Sequence, residues 1–318
     1  MGAVRAGRAV IARSPELRAA VDGALGRGNA VDAVCTGLLL ACAQDASVAM
    51  GSVSVVVAGF GMAPRLLDGR VLEPGNLARR PRGYRSDEAV PSAAYVAAPR
   101  LFATVAAALT LAGRRTFAAA ASPAVSACGN PARKVVLEAF SALGAALFQR
   151  RGLADELFAA AGPGAGGALA PADLEVAAPS PVALAARCDE AFAAPVLGPC
   201  AFEDSAVEWI GARDGAGLVC LASFERAAEG HELSGLGLVA PRVAVPVRRG
   251  IPRVTPTTAL GLLPPVRAVQ EGGALAFLEA LEGPVAALAS LARRGEPVHG
   301  ARVCEEHPLL QVVRVARD

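Results

Sequence analysis

The apolar positions of this chain change period several times. Between residues 14 and 25 they recur at helical spacing, with Leu17, Ala20, Val21, Ala24 and Leu25 on one face. Ser14-Pro15-Glu16 opens that stretch with a capping hydroxyl, a proline suited to the first turn and an acid at the positive end of the dipole. Gly26-Arg27-Gly28 stops it. Asn29 caps a second helix over residues 30–43, apolar on nearly every side apart from Asp32, which predicts a central position.

Residues 4–12 predict a short strand ahead of these helices. After them, residues 47–60 read as strand and 64–71 as a hairpin turning at Asp68-Gly69. Residues 74–91 are polar, carry several Pro and Arg, and predict irregular structure. Helices are expected over 101–113, 117–128, 131–152 and 153–161, the last ended by the Gly-rich stretch 162–167, with a short helical turn at 171–174. The Ala- and Pro-rich stretch 179–199 reads as a connection between two halves. From 202 to 263 the chain is strand-like; residues 204–224 alternate, turn at Arg213-Asp214-Gly215 and alternate again. Residues 274–293 return to helix, and 312–315 form a last strand. The order suits a layered α+β domain and not a regular βαβ array.

With 318 residues, 53% hydrophobic and 19% charged, the chain can bury a sizeable core and is not disordered. Aromatics are only 4%, so Ala, Val and Leu must build that core. A net charge of +2, with no basic cluster larger than Arg79-Arg80-Pro81-Arg82, argues for neither a nucleic-acid partner nor a membrane surface. The seven cysteines are odd in number and lack Cys-x-x-Cys spacing, and the three histidines form no ligand spacing. Free thiols in a reducing compartment are expected, with no metal. The N-terminus lacks the long apolar segment of a signal peptide, and the uncharged run 47–64 reads as buried strands, so a soluble cytoplasmic protein is the expectation.

Four collinear segments go further. They are Ser14-Pro15 followed by Leu25-Gly-Arg-Gly-Asn29-Ala-Val-Asp32-Ala33; Leu67-Asp68-Gly69-Arg70-Val-Leu-Glu-Pro74; Val96-Ala-Ala-Pro99 with Ser122-Pro123-Ala124-Val125; and Gly166-Gly167-Ala-Leu-Ala-Pro171-Ala-Asp173-Leu174. Together they resemble the γ-glutamyltranspeptidase family of N-terminal nucleophile hydrolases, shortened and degenerate. The resemblance implies one domain over 1–318 with a four-layer αββα sandwich, residues 1–204 corresponding to the family's large subunit and 205–318 to its small one.

The resemblance also implies a site. Anchored on Asp214-Gly215, Ser205 falls where the family keeps its nucleophilic threonine. Such a hydroxyl cleaves the chain before itself, here between Asp204 and Ser205, and the freed α-amine of low pKa then acts as its base. Arg70 matches the arginine that binds the glutamyl α-carboxylate, a task for a bidentate guanidinium, although Val71 stands where the family has an acid. Thr255 and Thr257 keep the Thr-Pro-Thr end of a substrate-holding segment whose serine pair is gone. Other parts depart from the pattern. Pro264-Pro265 fall where a glycine pair supplies oxyanion donors, and proline has no N–H. Residues 239–245 lack the acid that receives the substrate's amino group, and the glycine-rich match at 48–54 is mostly lost.

These implications lead to γ-glutamyl or related acyl-amide transfer or hydrolysis through Ser205, on a small γ-glutamyl molecule as in glutathione metabolism, without metal or organic cofactor. The alternative is a non-catalytic pseudoenzyme serving as an interaction or structural subunit, a homo-oligomer included. A third option is a small-molecule binder that uses Arg70 in a retained pocket.

Overall fold

A computed structural model describes residues 7–12, 14–59, 62–75, 83–175, 179–183, 185–187, 191–193, 207–246, 249, 266–271, 274–279, 301–307 and 310–315. For 62–64, and for every strand before 207 or after 246 from 182 onward, the description is of the backbone.

Strand β1 (Ala9–Ala12) leads into α1 (Pro15–Leu25) and α2 (Ala30–Gln44). The expected cap is present: Ser14 Oγ accepts from Leu17 N at 3.1 Å, and α1 buries Leu17, Val21, Ala24 and Leu25. Asn29 caps α2 in a box closed by Asp32. Every residue of α2 from Ala30 to Ala43 is buried, as its all-round apolar sequence requires.

A 3-10 turn (Val48–Met50) precedes β2 (Val53–Gly59) and β3 (Met62–Gly69). The strand expected over 47–60 therefore starts late. The expected turn at Asp68-Gly69 is corrected: both residues lie in β3, paired with Ser54 and Val53. Gly69 is needed there for close approach, since a Cβ would stand 2.1 Å from Thr104 Oγ1. The chain then passes a 3-10 turn (Ser92–Tyr95) into α3 (Leu101–Ala112), α4 (Phe117–Ala127), α5 (Pro131–Leu143), α6 (Arg151–Ala161) and α7 (Pro171–Glu175). The long helix expected over 131–152 is broken at Gly144. That residue has φ +56°, and a Cβ would meet the Phe117 ring at 2.4 Å.

Short strands β4 (Val182–Ala183), β5 (Ala185–Arg187) and β6 (Ala191–Ala193) follow, where only a connection was expected. Next come β7 (Val207–Arg213), β8 (Val219–Glu225), β9 (His231–Leu233), β10 (Leu238–Ala240), β11 (Val266–Glu271), β12 (Ala274–Glu279), β13 (Ala301–His307) and β14 (Leu310–Val315). Residues 274–279, expected to be helical, are a strand because β11 and β14 hydrogen-bond to both edges; pairing overrides the helix propensity of Ala and Leu.

One six-stranded sheet has the order β1-β7-β8-β2-β3-β4, antiparallel throughout. A second has the order β13-β14-β12-β11-β6-β5, with a parallel β12–β14 pair. β9 and β10 form a separate two-stranded sheet. Helices α1, α2 and α3 lie on the first sheet, and its β1 and β7 also contact β13 and β14.

Alternation divides the first sheet into two faces. Ala12, Ile210, Ala212, Cys220, Ala222, Phe224, Val53, Val55, Val57 and Leu67 join the helices in one core cluster. The opposite face carries Ile11, Trp209, Leu221, Ser223, Glu225, Ser54, Val56, Leu66 and Asp68. Most of these are buried, yet none belongs to that cluster. A buried, partly polar sheet face away from the helices is where a site can lie.

Candidate active site

Two cross-strand rows define the polar part of this face. In the first, Trp209 opposes Ser223, Ser223 opposes Ser54, and Ser54 opposes Asp68. The hydroxyls of Ser54 and Ser223 satisfy each other at 2.8 Å, as buried polar groups must. In the second row, Val207 opposes Glu225. Glu225 N donates to Ser52 O at 2.9 Å, Ser52 N donates to Glu225 Oε2 at 3.2 Å, and Val71 N donates to Ser52 Oγ at 3.4 Å. Continued one step past the Val53–Gly69 pair, this row ends at Arg70.

Arg70 is held by the acid two residues before it. Its Nε and Nη2 donate to the two Asp68 carboxylate oxygens at 3.1 and 3.0 Å, and its backbone N donates to Asp68 Oδ1 at 3.1 Å. The Arg70 side chain is 12% exposed. A guanidinium has five N–H groups, and this grip uses the Nε edge. Nη1 has no hydrogen-bond partner among the described residues, so the Nη1–Nη2 edge remains for another planar anion. Arg100 donates through Nη1 to Arg70 O at 3.4 Å. Burial pulls the Arg100 pKa down, Asp68 opposes that shift, and Arg70 adds to it.

The loop joining β7 to β8 is longer than the expected tight turn. Asp214 Oδ1 accepts from Ala216 N and Leu218 N at 2.9 and 3.0 Å, and Gly217, with φ +93°, takes the left-handed position. The expected hairpin exists, with Asp214 organising its loop. Ser205, Thr255 and Thr257 lie outside the described residues, as does the Pro264-Pro265 pair. Ser205 precedes the start of β7 by two residues. Among the expected site residues, the structure thus gives geometry for Arg70 alone.

Two residues were missed by sequence reasoning. Asp68 reads from the sequence as a turn residue, although its spacing of two from Arg70 suits a local ion pair. Glu225 is 3% exposed on the same face. Its signal was present, since β8 alternates and Glu225 shares the parity of Leu221 and Ser223.

The Asn29-Ala-Val-Asp32 motif turns out to be structural. Asp32 is fully buried and accepts from Asn29 N at 2.9 Å, Arg114 N at 3.0 Å and Arg115 N at 3.0 Å. It therefore ties the α1–α2 junction to the α3–α4 junction and points to no substrate. Cys35, Cys42, Cys128 and Cys220 are buried free thiols. Burial raises the pKa of Cys35, Cys42 and Cys220, which keeps them protonated and unreactive. Among the described residues no helix is long and apolar enough to cross a membrane.

Two six-stranded sheets with helices packed on one of them form a mixed helix-and-sheet fold that this chain shares with solved structures. No protein-family model matches the chain, and no curated protein matches it in sequence. Among solved structures it resembles cephalosporin acylase from Bacillus halodurans, with TM-score 0.65 and 13% identity over 84% of this chain and 76% of that one. It also matches γ-glutamyltranspeptidase from Pseudomonas nitroreducens complexed with L-DON, with TM-score 0.47 and 16% identity over 55% and 66% of the two chains. The Helicobacter pylori γ-glutamyltranspeptidase gives TM-score 0.47 and 15% identity over 58% and 68%.

Proposed function

We propose that the chain is an acyl-amide hydrolase or transferase of the N-terminal nucleophile type, acting on a γ-glutamyl or related substrate, with Ser205 as nucleophile and Arg70 as the dock for a substrate carboxylate. The observation that carries this is the Asp68-held guanidinium of Arg70, with its outer edge open, in the row where β7 begins two residues after Ser205. A carboxylate takes such an edge through two parallel N–H···O bonds. Thr255 and Thr257 hold the substrate, and the second sheet covers the polar face in a four-layer sandwich.

Strand arithmetic gives the scale. Residues 207 and 70 stand three strands apart in one row, about 14 Å between Cα atoms. In this reading a γ-glutamyl amide binds with its α-carboxylate on Arg70 and presents its γ-carbonyl to Ser205. Glu225, between Val207 and Arg70 in that row, supplies the acid for an α-ammonium.

The chemistry begins on the chain itself. Ser205 Oγ attacks the Asp204 carbonyl, the peptide C–N bond gives way to an ester, and water hydrolyses that ester to free the Ser205 α-amine. In turnover this amine takes the Oγ proton as Oγ attacks the γ-carbonyl. It passes the proton to the departing amine, and water or an acceptor amine then releases the acyl group. A second reading, a non-catalytic homologue that keeps only the carboxylate dock, is favoured by Pro264-Pro265, which cannot donate to an oxyanion. Release of p-nitroaniline from γ-glutamyl-p-nitroanilide separates the two. Turnover abolished by Ser205→Ala supports the enzyme. Wild-type protein that binds this substrate without turning it over establishes the second reading.

A further inference from the structure

Away from these rows, a second hydroxyl is paired with a base. Ser92, in the 3-10 turn before α3, shares a 2.8 Å hydrogen bond between its Oγ and His231 Nδ1. The other ring nitrogen, Nε2, lies 2.9 Å from the carbonyl oxygen of Ala160 at the end of α6. A carbonyl only accepts, so in the neutral ring Nε2 carries the proton and Nδ1 offers its lone pair. Ser92 then donates to Nδ1. The serine is thereby hydrogen-bonded to a base whose tautomer a third group fixes, the arrangement that activates a nucleophile. Three separate elements supply the parts: the 3-10 turn, β9 and α6.

The pair is also reachable. Ser92 and His231 are both half-buried, unlike the enclosed Ser54–Ser223 pair. Among the described residues the backbone amides of Ser92 and Ala93 have no hydrogen-bond partner, so two N–H donors adjoin the hydroxyl. We infer that Ser92 and His231 form a second acyl-accepting site, independent of Ser205, that takes small activated carboxylic esters.

Water is the only co-reactant that this hydrolysis needs. Ser92 Oγ attacks the acyl carbon as His231 Nδ1 takes the Oγ proton, giving an imidazolium whose Nε2–H stays on the Ala160 carbonyl. The carbon–oxygen bond to the leaving alcohol breaks, and the alcohol departs with the proton from Nδ1. The acyl group remains on Ser92 until water, deprotonated by Nδ1, hydrolyses it.

A fluorophosphonate probe applied to the full-length protein, followed by peptide mass mapping, tests the assignment. The expected result is a phosphonylated Ser92 peptide, both in the wild type and in Ser205→Ala. The expected change in His231→Gln is a labelling rate about 100-fold lower, the scale of a lost general base. Labelling of wild-type protein needs no variant to fold. Absence of the Ser92 adduct under conditions that label a reference serine esterase overturns the proposal. So does labelling of a folded His231→Gln protein at the wild-type rate, which leaves the contact a structural clip.

Discussion

Replacing Asp32 by alanine measures what the buried carboxylate contributes. The change removes the acceptor of three backbone N–H groups, those of Asn29, Arg114 and Arg115. Asn29 is 2% exposed, so its amide has no route to water and costs about 2 kcal/mol when left bare. The other two lie nearer the surface, and at about 1 kcal/mol each they bring the total to about 4 kcal/mol. Asparagine keeps an oxygen for Arg114 and Arg115 but turns an N–H toward that of Asn29, for a loss of about 2 kcal/mol. With a urea slope of about 3 kcal/mol/M, the unfolding midpoint falls by about 1.3 M in Asp32→Ala and about 0.7 M in Asp32→Asn. Equilibrium unfolding followed by far-UV circular dichroism reads both. A midpoint for Asp32→Ala within 0.2 M of wild type, or below-wild-type values in the reverse order, refutes the reasoning. Gly28 belongs to the same device, since a Cβ there would stand 2.4 Å from Asp32 Oδ2.

Three further predictions follow from packing, burial and charge. Gly37→Ala in α2 gains up to about 1 kcal/mol of helix propensity but sets a methyl 2.7 Å from Val21 Cγ2, so it destabilises by a net 1 kcal/mol or about that, read as a lower urea midpoint. The raised thiol pKa values of Cys35, Cys42 and Cys220 favour the protonated folded state. Their contribution is whole below the ordinary thiol pKa of about 8.5 and declines above it by up to about 1.4 kcal/mol per thiol per pH unit, so urea midpoints drop steeply between about pH 9 and 11, and less so in Cys220→Ala. Arg70→Ala removes the carboxylate fork and weakens binding of γ-glutamyl-p-nitroanilide by about 10- to 100-fold in calorimetric titration, while Asp68→Asn frees the guanidinium to rotate and gives a smaller loss.

The first half of the fold was legible because its signals are local. Ser14, Pro15, Asn29 and Asp32 cap helices through atoms within four residues of themselves, and the apolar face of α1 repeats at helical spacing. The misassigned segments are those decided at long range. Asp68-Gly69 has turn chemistry, yet β2 and Thr104 hold it in a strand. Residues 274–279 are helix formers by composition and a strand by pairing with β11 and β14. Gly144 breaks a helix that its neighbours would continue, for the sake of the Phe117 ring. At the site, Arg70 was legible as a guanidinium in a recognisable segment. Its clamp by Asp68 is local and was hidden by the turn chemistry of Asp68-Gly69, while the place of Glu225 in the same row as Arg70 depends on strand register, which the sequence does not state.

The central claim is that Ser205 is the nucleophile of a self-processing hydrolase, and intact mass spectrometry of the purified chain tests it most directly. The account predicts two fragments meeting at Asp204 and Ser205, and a Ser205→Ala protein that stays whole. A wild-type chain that remains a single 32.0 kDa species through prolonged incubation contradicts it.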